Sequence, residues 1–427
     1  MIRIFDAERV SIDEIVKREN GSTLSAEKAA AEIIAKVRAE GDKALIAFTE
    51  EFDGVRLTAI KVTEKEIIEA YNAANPYFIE TLEQAKANIE AFHKAQLRKD
   101  FKVKHANGVT VGQLFTPMER AGLYIPGGTA GYPSTVLMNA VPAKLAGVKE
   151  IVMVTPPAKN GKVNPDVLTA ARVAGVTSIY KVGGAQAVAA LAYGTESVPK
   201  VDKIVGPGNV YVAAAKKLVF GVVSIDMIAG PSEILIVADG ASDAAYVAAD
   251  MLSQAEHDKN ATAILITDSA ALAQKVQTQL ESQLAELPRE AIARVSIDNN
   301  GKIIVAPSLA QALEISNAIA PEHLELCVDD PFPLLASVKN AGSVFLGRNT
   351  PEAVGDYFAG ANHTLPTNGT AKFSSPLSVD DFTKKIQYIY YPQTALEADG
   401  ERIADFAARE GLTAHAKSVT VRMEKKQ

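Results

Sequence analysis

Short apolar runs that alternate with helix-length segments restrict this chain's fold more than any other feature. GLYIP is followed by a helical run from Ser134 to Ala146, then IVMVT, a helix from Pro165, SIYKV, a helix from Ala185, KIVG and a helix from Asn209. The runs are mostly apolar, as expected of strands buried on both faces, and the intervening helices are the crossovers that parallel strands need. A second series begins at EILIVAD and continues through AILIT, KIIVA, LELCV and SVFLG. The grammar predicts two parallel α/β sheets, related halves in outline though without a residue-level repeat.

The flanks read differently. Ser25 to Thr49 carries apolar residues at helical spacing, and Glu64 to Leu97 is an amphipathic stretch broken near Pro76. FKVKHANGVTVGQLF alternates around Asn107-Gly108, which supplies the positive φ of a tight hairpin. From about Val379 no further strand is expected; IQYIYY leads into a helical tail too thin for a core of its own. At 427 residues and 48% hydrophobic, two to three folded units with a sizeable core are expected. The net charge of -7 disfavours nucleic acid, and neither a signal peptide nor a transmembrane run is expected. One cysteine, Cys327, excludes an intrachain disulfide and a Cys-based metal cluster, so a cytoplasmic protein is expected.

No G-x-G-x-x-G follows any strand, so the usual dinucleotide fingerprint is missing. Glycine turns do stand at three strand ends: Gly127-Gly128, Gly183-Gly184 and Gly206-Pro207-Gly208. Beyond the carboxyl ends of parallel strands such turns suit a nucleotide or phosphate, although glycine is also the default residue of a tight βα turn. Four of the six histidines sit in polar motifs. SQAEHD places Gln254 and His257 three apart on one helix face; PEHLEL holds Glu322 and His323 before a strand; GDYFAGANHTLPT holds Asp356 and His363 within a loop of small residues; EGLTAHAKSV holds Glu410 and His415. His93 and His105 lack such neighbours and read as structural or exposed. Two imidazoles, one carboxylate and one amide oxygen would form a workable zinc set with net charge +1. Each motif also has a bland reading, as a solvated helix end, an ordinary strand start or a loop held by its own Asp.

Taken together, GLYIPGG, VGGAQA, VDKIVGPGN, AGPSE, SQAEHD, PEHLEL, AGSVFLG, GDYFAGANHTLPT and EGLTAHAKSV resemble, in order and spacing, the histidinol dehydrogenase family over nearly the whole chain. The resemblance implies two incomplete Rossmann-like parallel-sheet domains with small helical N- and C-terminal extensions. Residues 1–20 would be an extension, 21–123 and 233–378 a discontinuous domain carrying zinc, 124–232 an NAD-binding domain, and 379–427 a helical tail on the partner subunit of a homodimer. It implies one Zn²⁺ per subunit on Gln254, His257, Asp356 and His415, and general bases at Glu322 and His323. Ser232, His363 and Glu410 would join the zinc ligands and His323 in contacting substrate, and Tyr124, Gln186 and Asn209 would touch NAD⁺. Glu410 and His415 would act across the dimer. The implied reaction oxidises L-histidinol to L-histidine through L-histidinal, with His323 taking the alcohol proton and Glu322 activating water. The residues alone also fit a zinc hydrolase, a metal-stabilised structural protein, or a dehydrogenase of another amino- or sulfo-alcohol.

Overall fold

Two parallel sheets account for the alternating grammar of the sequence. The computed structural model describes residues 2–11, 23–127 and 131–424. The chain opens with β1 (Arg3–Asp6), α1 (Thr23–Glu40), α2 (Asp42–Asp53), α3 (Glu64–Ala73), α4 (Pro76–Lys94), β2 (Phe101–Lys104) and β3 (Thr110–Pro117). A first α/β series follows: β4 (Arg120–Tyr124), α5 (Pro133–Ala146), β5 (Glu150–Thr155), α6 (Pro165–Ala174), β6 (Ser178–Lys181), α7 (Gly184–Tyr193), β7 (Lys203–Val205), α8 (Val210–Val219) and β8 (Ser224–Ile225). The second is β9 (Glu233–Ala238), α9 (Ala244–Ala255), β10 (Thr262–Thr267), α10 (Ala270–Leu284), α11 (Glu290–Asn300), β11 (Lys302–Val305), α12 (Leu309–Ile319), β12 (His323–Cys327), α13 (Phe332–Leu335), β13 (Ser343–Leu346) and α14 (Glu352–Tyr357). The chain ends with β14 (Thr383–Tyr390), α15 (Gln393–Arg409) and α16 (Thr413–Met423).

The sheets run β6-β5-β4-β7-β8 and β1-β11-β10-β9-β12-β13, parallel throughout. Numbered within each series, both follow the order 3-2-1-4-5 of a doubly wound sheet, so each has a switch point, at β4/β7 and at β9/β12. Alternate residues feed opposite cores, as the period of a strand requires. Ile234 and Ile236 pack with Val247, Met251 and Leu272, whereas Leu235 and Val237 pack with Leu313, Ile319 and Leu324. Helix starts are chemically marked. Asn75 and Asn164 cap helices whose first residues are Pro76 and Pro165, so the break at Pro76 begins a new helix. Leu191, fully buried in α7, packs above Gly122 of β4. Leu191→Ala should therefore cost about 2–5 kcal/mol, read from the urea midpoint.

The structure revises several boundaries. Helices α1–α4, expected with the zinc domain, pack on the five-stranded sheet: Ala30, Ile34 and Leu45 join the core of Val188 and Leu191, and Leu82 and Ile89 join that of Val136 and Met153. The expected N-terminal extension supplies strand β1, paired in register with β11; residues 12–20 of it, like Gly128 of the first glycine turn, lie outside the described residues.

A second compact unit comprises residues 97–117 and 383–427. The expected hairpin forms between β2 and β3, with Gly108 at φ 85. Contrary to the expectation that strands end near Val379, TKKIQYIY is an eight-residue strand, β14, antiparallel to β3. Its aromatic and β-branched residues fit a pleated surface. Helices α15 and α16 pack on each other yet bury only Ala395 and Gly400, while Phe406, Leu412 and Val421 remain exposed. Among the described residues no helix is long and apolar enough to cross a membrane.

Candidate active site

A cleft of about 1810 Å³ is lined from two directions. The five-stranded sheet contributes the carboxyl ends of its strands: Pro126 and Gly127 after β4, and Gly206 to Asn209 after β7. That is its switch point, where an open α/β sheet splays to admit a ligand. The six-stranded sheet contributes amino ends instead, with Glu233, Thr262, Lys302 and His323 each opening a strand. Its own carboxyl-end crevice is filled by Arg348, whose guanidinium donates to both Asp239 carboxylate oxygens at 2.9 and 3.0 Å and to the Cys327 carbonyl at 3.0 Å. The cleft exceeds the roughly 300–1,000 Å³ of a typical single-ligand pocket, leaving room for two ligands.

Glu322 and His323 stand at the start of β12, beside the β9 strand with which His323 pairs at Ile234. The backbone of one residue, Glu233, anchors both. The Glu233 N–H donates to Glu322 Oε2 at 2.8 Å, and His323 Nδ1–H donates to the Glu233 carbonyl at 2.9 Å. Since a carbonyl only accepts, Nδ1 carries the proton and Nε2 is an acceptor. Burial pushes the Glu322 carboxyl well above the usual range and pulls the His323 imidazole below its own.

Around His323 Nε2 lies a set of metal-type donor atoms, several of them without a hydrogen-bond partner. His323, Glu352 and Asp356 each place one atom within 4.8 Å of the others. Among the described residues, the buried Nε2 of His323, Oε1 of Gln254 and Nδ1 of His363 have no hydrogen-bond partner. His363 Nδ1 stands 3.6 Å from Asp356 Oδ1. Burial raises Asp356 to about 6 and, with Asp356 beside it, Glu352 to about 7; burial lowers His363 to about 4. Raised carboxyls, neutral imidazoles and an orphaned amide oxygen are what a cation would compensate. Gln254 and His257 also come at the carboxyl end of α9, the negative end of its dipole.

The chain that carries this cleft has known relatives. A family model described as histidinol dehydrogenase matches residues 16–423. The chain belongs to the histidinol dehydrogenase family. It is 54% identical over 411 residues to the histidinol dehydrogenase of Listeria monocytogenes, covering 96% of each chain. It is likewise 54% identical over 402 residues to that of Streptococcus mutans, covering 94% of each. The crystal structure of histidinol dehydrogenase from Elizabethkingia anophelis superimposes with a TM-score of 0.94 at 39% identity, covering 99% of this chain and 98% of that one.

Of the residues singled out by the family's motifs, Ser232, Gln254, His257, Glu322, His323, Asp356 and His363 all line the one cleft. Asn209 lines it too, with its Oδ1 capping α8 through Tyr211 and Val212. Tyr124 and Gln186 are buried but are not on the lining; the Tyr124 hydroxyl accepts from the Gly184 N–H at 3.0 Å, and Gln186 Oε1 has no partner. Glu410 and His415 belong to the second unit, where both are exposed. Asp356, expected in a loop, is on the helix α14. That helix also carries Glu352, which sequence reasoning missed, although the spacing of four between the two carboxylates was the available signal. His93 is structural and buried: Nδ1 meets Gln96 at 2.7 Å and Nε2 faces Asn362, next to His363, at 3.4 Å.

Proposed function

We propose that this chain oxidises L-histidinol to L-histidine through L-histidinal, with two NAD⁺ consumed, as the last step of histidine biosynthesis. The observation that carries this reading is the Glu322–His323 pair anchored on the backbone of one residue, Glu233, with His323 Nε2 buried, unpartnered and free to accept a proton.

The orphaned Gln254 Oε1 supports Gln254, His257 and Asp356 as holders of zinc, with His415 as the fourth. Bound zinc supplies a Lewis-acidic anchor for the substrate's imidazole and amine, and NAD⁺ accepts a hydride in each oxidation. His323 Nε2 takes the alcohol proton, its ring fixed by the Glu233 carbonyl. Glu322 takes a proton from the water that adds to the aldehyde. Ser232, His363 and Glu410 orient the substrate, and Tyr124, Gln186 and Asn209 hold NAD⁺. Glu410 and His415 come from the partner of a homodimer, a reading supported by the exposed apolar residues of α15 and α16. The single, buried cysteine suits a cytoplasmic enzyme.

The test is NADH formation by purified, zinc-loaded protein given L-histidinol and NAD⁺. The expected yield is two NADH per histidine, abolished by chelation with the far-UV spectrum unchanged and restored by zinc. No NADH with this substrate would overturn the reading, and hydrolysis of a zinc-dependent amide or ester substrate would replace it.

A further inference from the structure

We propose that the buried Lys216–Asp226 ion pair is a positioning device that fixes the turn from Gly206 to Asn209 in the geometry that seats NAD⁺. The proposal rests on the reading above that this wall of the cleft takes the dinucleotide.

Lys216 lies on α8 and Asp226 just beyond β8, and their side chains are 2% and 1% exposed. Their charged ends are in direct contact, and between them they hold both polar groups of one residue. Asp226 Oδ2 accepts the Gly206 N–H at 2.8 Å, and Lys216 Nζ donates to the Gly206 carbonyl at 3.0 Å. Asp226 Oδ1 also accepts the Met227 N–H at 2.6 Å, tying the next stretch of cleft wall to the same carboxylate. Gly206, Pro207, Gly208, Asn209, Asp226 and Met227 all line the cleft.

Gly206 has φ 112, and a Cβ there would lie 2.1 Å from the Tyr124 carbonyl, so the turn crosses the end of β4 with no side chain between. Glycine leaves such a turn free to adopt other conformations. Removing two charges from water is costly, and an apolar pair of similar volume often serves stability as well. An apolar pair cannot grip both the N–H and the carbonyl of Gly206. Setting the two peptide groups of Gly206 sets the start of α8, because Asn209 at the turn's end caps the helix through Tyr211 and Val212. Neither Lys216 nor Asp226 has a part in the proton transfers proposed above, so the pair acts through the turn.

Lys216→Met, Asp226→Asn and the double variant, as full-length zinc-loaded protein, provide the test. The KM for NAD⁺ should rise about tenfold or more, the order that a small misplacement of a binding group costs, while the KM for histidinol stays within about twofold. The double variant should be no worse than Lys216→Met, because the two residues act as one unit. An unchanged NAD⁺ KM, or equal rises for both substrates, overturns the proposal. So does loss of cooperative melting in both single variants, which makes the pair purely structural. NAD⁺ binding by calorimetry separates the two readings. A wild type that binds NAD⁺ with this variant pattern but forms no NADH sinks the reaction and keeps the clamp, whereas one that binds no NAD⁺ sinks both.

Discussion

His323→Asn should lower kcat by about 10²–10⁴ in both oxidations while leaving fold and zinc content intact. The substitution is chosen from the local geometry. An Asn amide can overlay the Nδ1 side of the ring and keep donating to the Glu233 carbonyl, now met at 2.9 Å, while the atom equivalent to Nε2 is deleted. The side chain is buried beside Phe345, at a ring distance of 5.9 Å, so a small packing loss is expected as well. Both half-reactions should suffer, because each oxidation releases a proton from the carbon-bound oxygen as the hydride departs. Rates measured separately from L-histidinol and from L-histidinal, with metal analysis of the same samples, decide the matter. His323 also stands within 4.8 Å of Glu352 and Asp356, so the rival role is metal ligand. Activity lost in proportion to zinc would assign it that role. A loss under about tenfold would move the base elsewhere.

What the sequence made legible followed from strong, local physics. Strands buried on both faces, such as EILIVA, have no amphipathic alternative and were unmistakable. The Glu322-His323 pair was visible because a carboxylate beside an imidazole before an apolar strand is chemically unusual. Strand β14 was less visible: six of its eight residues are exposed, and its partner β3 lies more than 260 residues away in the chain, so no local pattern announced the pairing. Glu352 was hidden for a different reason. Its burial depends on packing against Glu325, which accepts its backbone N–H at 2.9 Å, and on Ser253 at 3.3 Å. Nor could the sequence tell which end of the six-stranded sheet is open. That depends on Arg348 bridging to Asp239, 109 residues away. The grouping of α1–α4 with the five-stranded sheet is likewise set by which apolar stripes meet, information that helical periodicity does not carry.

Glu322→Gln should separate the two half-reactions that His323→Asn strikes together. The amide is nearly isosteric with the carboxyl and its oxygen can still accept the Glu233 N–H, now at 2.8 Å, so the anchor that His323 shares is preserved. Conversion of L-histidinal to L-histidine should fall by about 10²–10⁴, because a neutral amide cannot take the proton of the attacking water. Conversion of L-histidinol to L-histidinal needs no water and should change by less than about tenfold. Single-turnover rates with each substrate supplied in turn, at saturating NAD⁺, measure the two separately. The shared Glu233 backbone makes the result sharp. If Glu322 served only to hold that backbone, Gln, which keeps the bond, would leave both oxidations nearly unchanged. Little change in either step, or an equal loss in both, would therefore deny Glu322 the water-activating role and leave His323, or water held by another group, to form the hydrate. A selective loss of the aldehyde step would divide the two proton transfers between adjacent residues at the start of one strand.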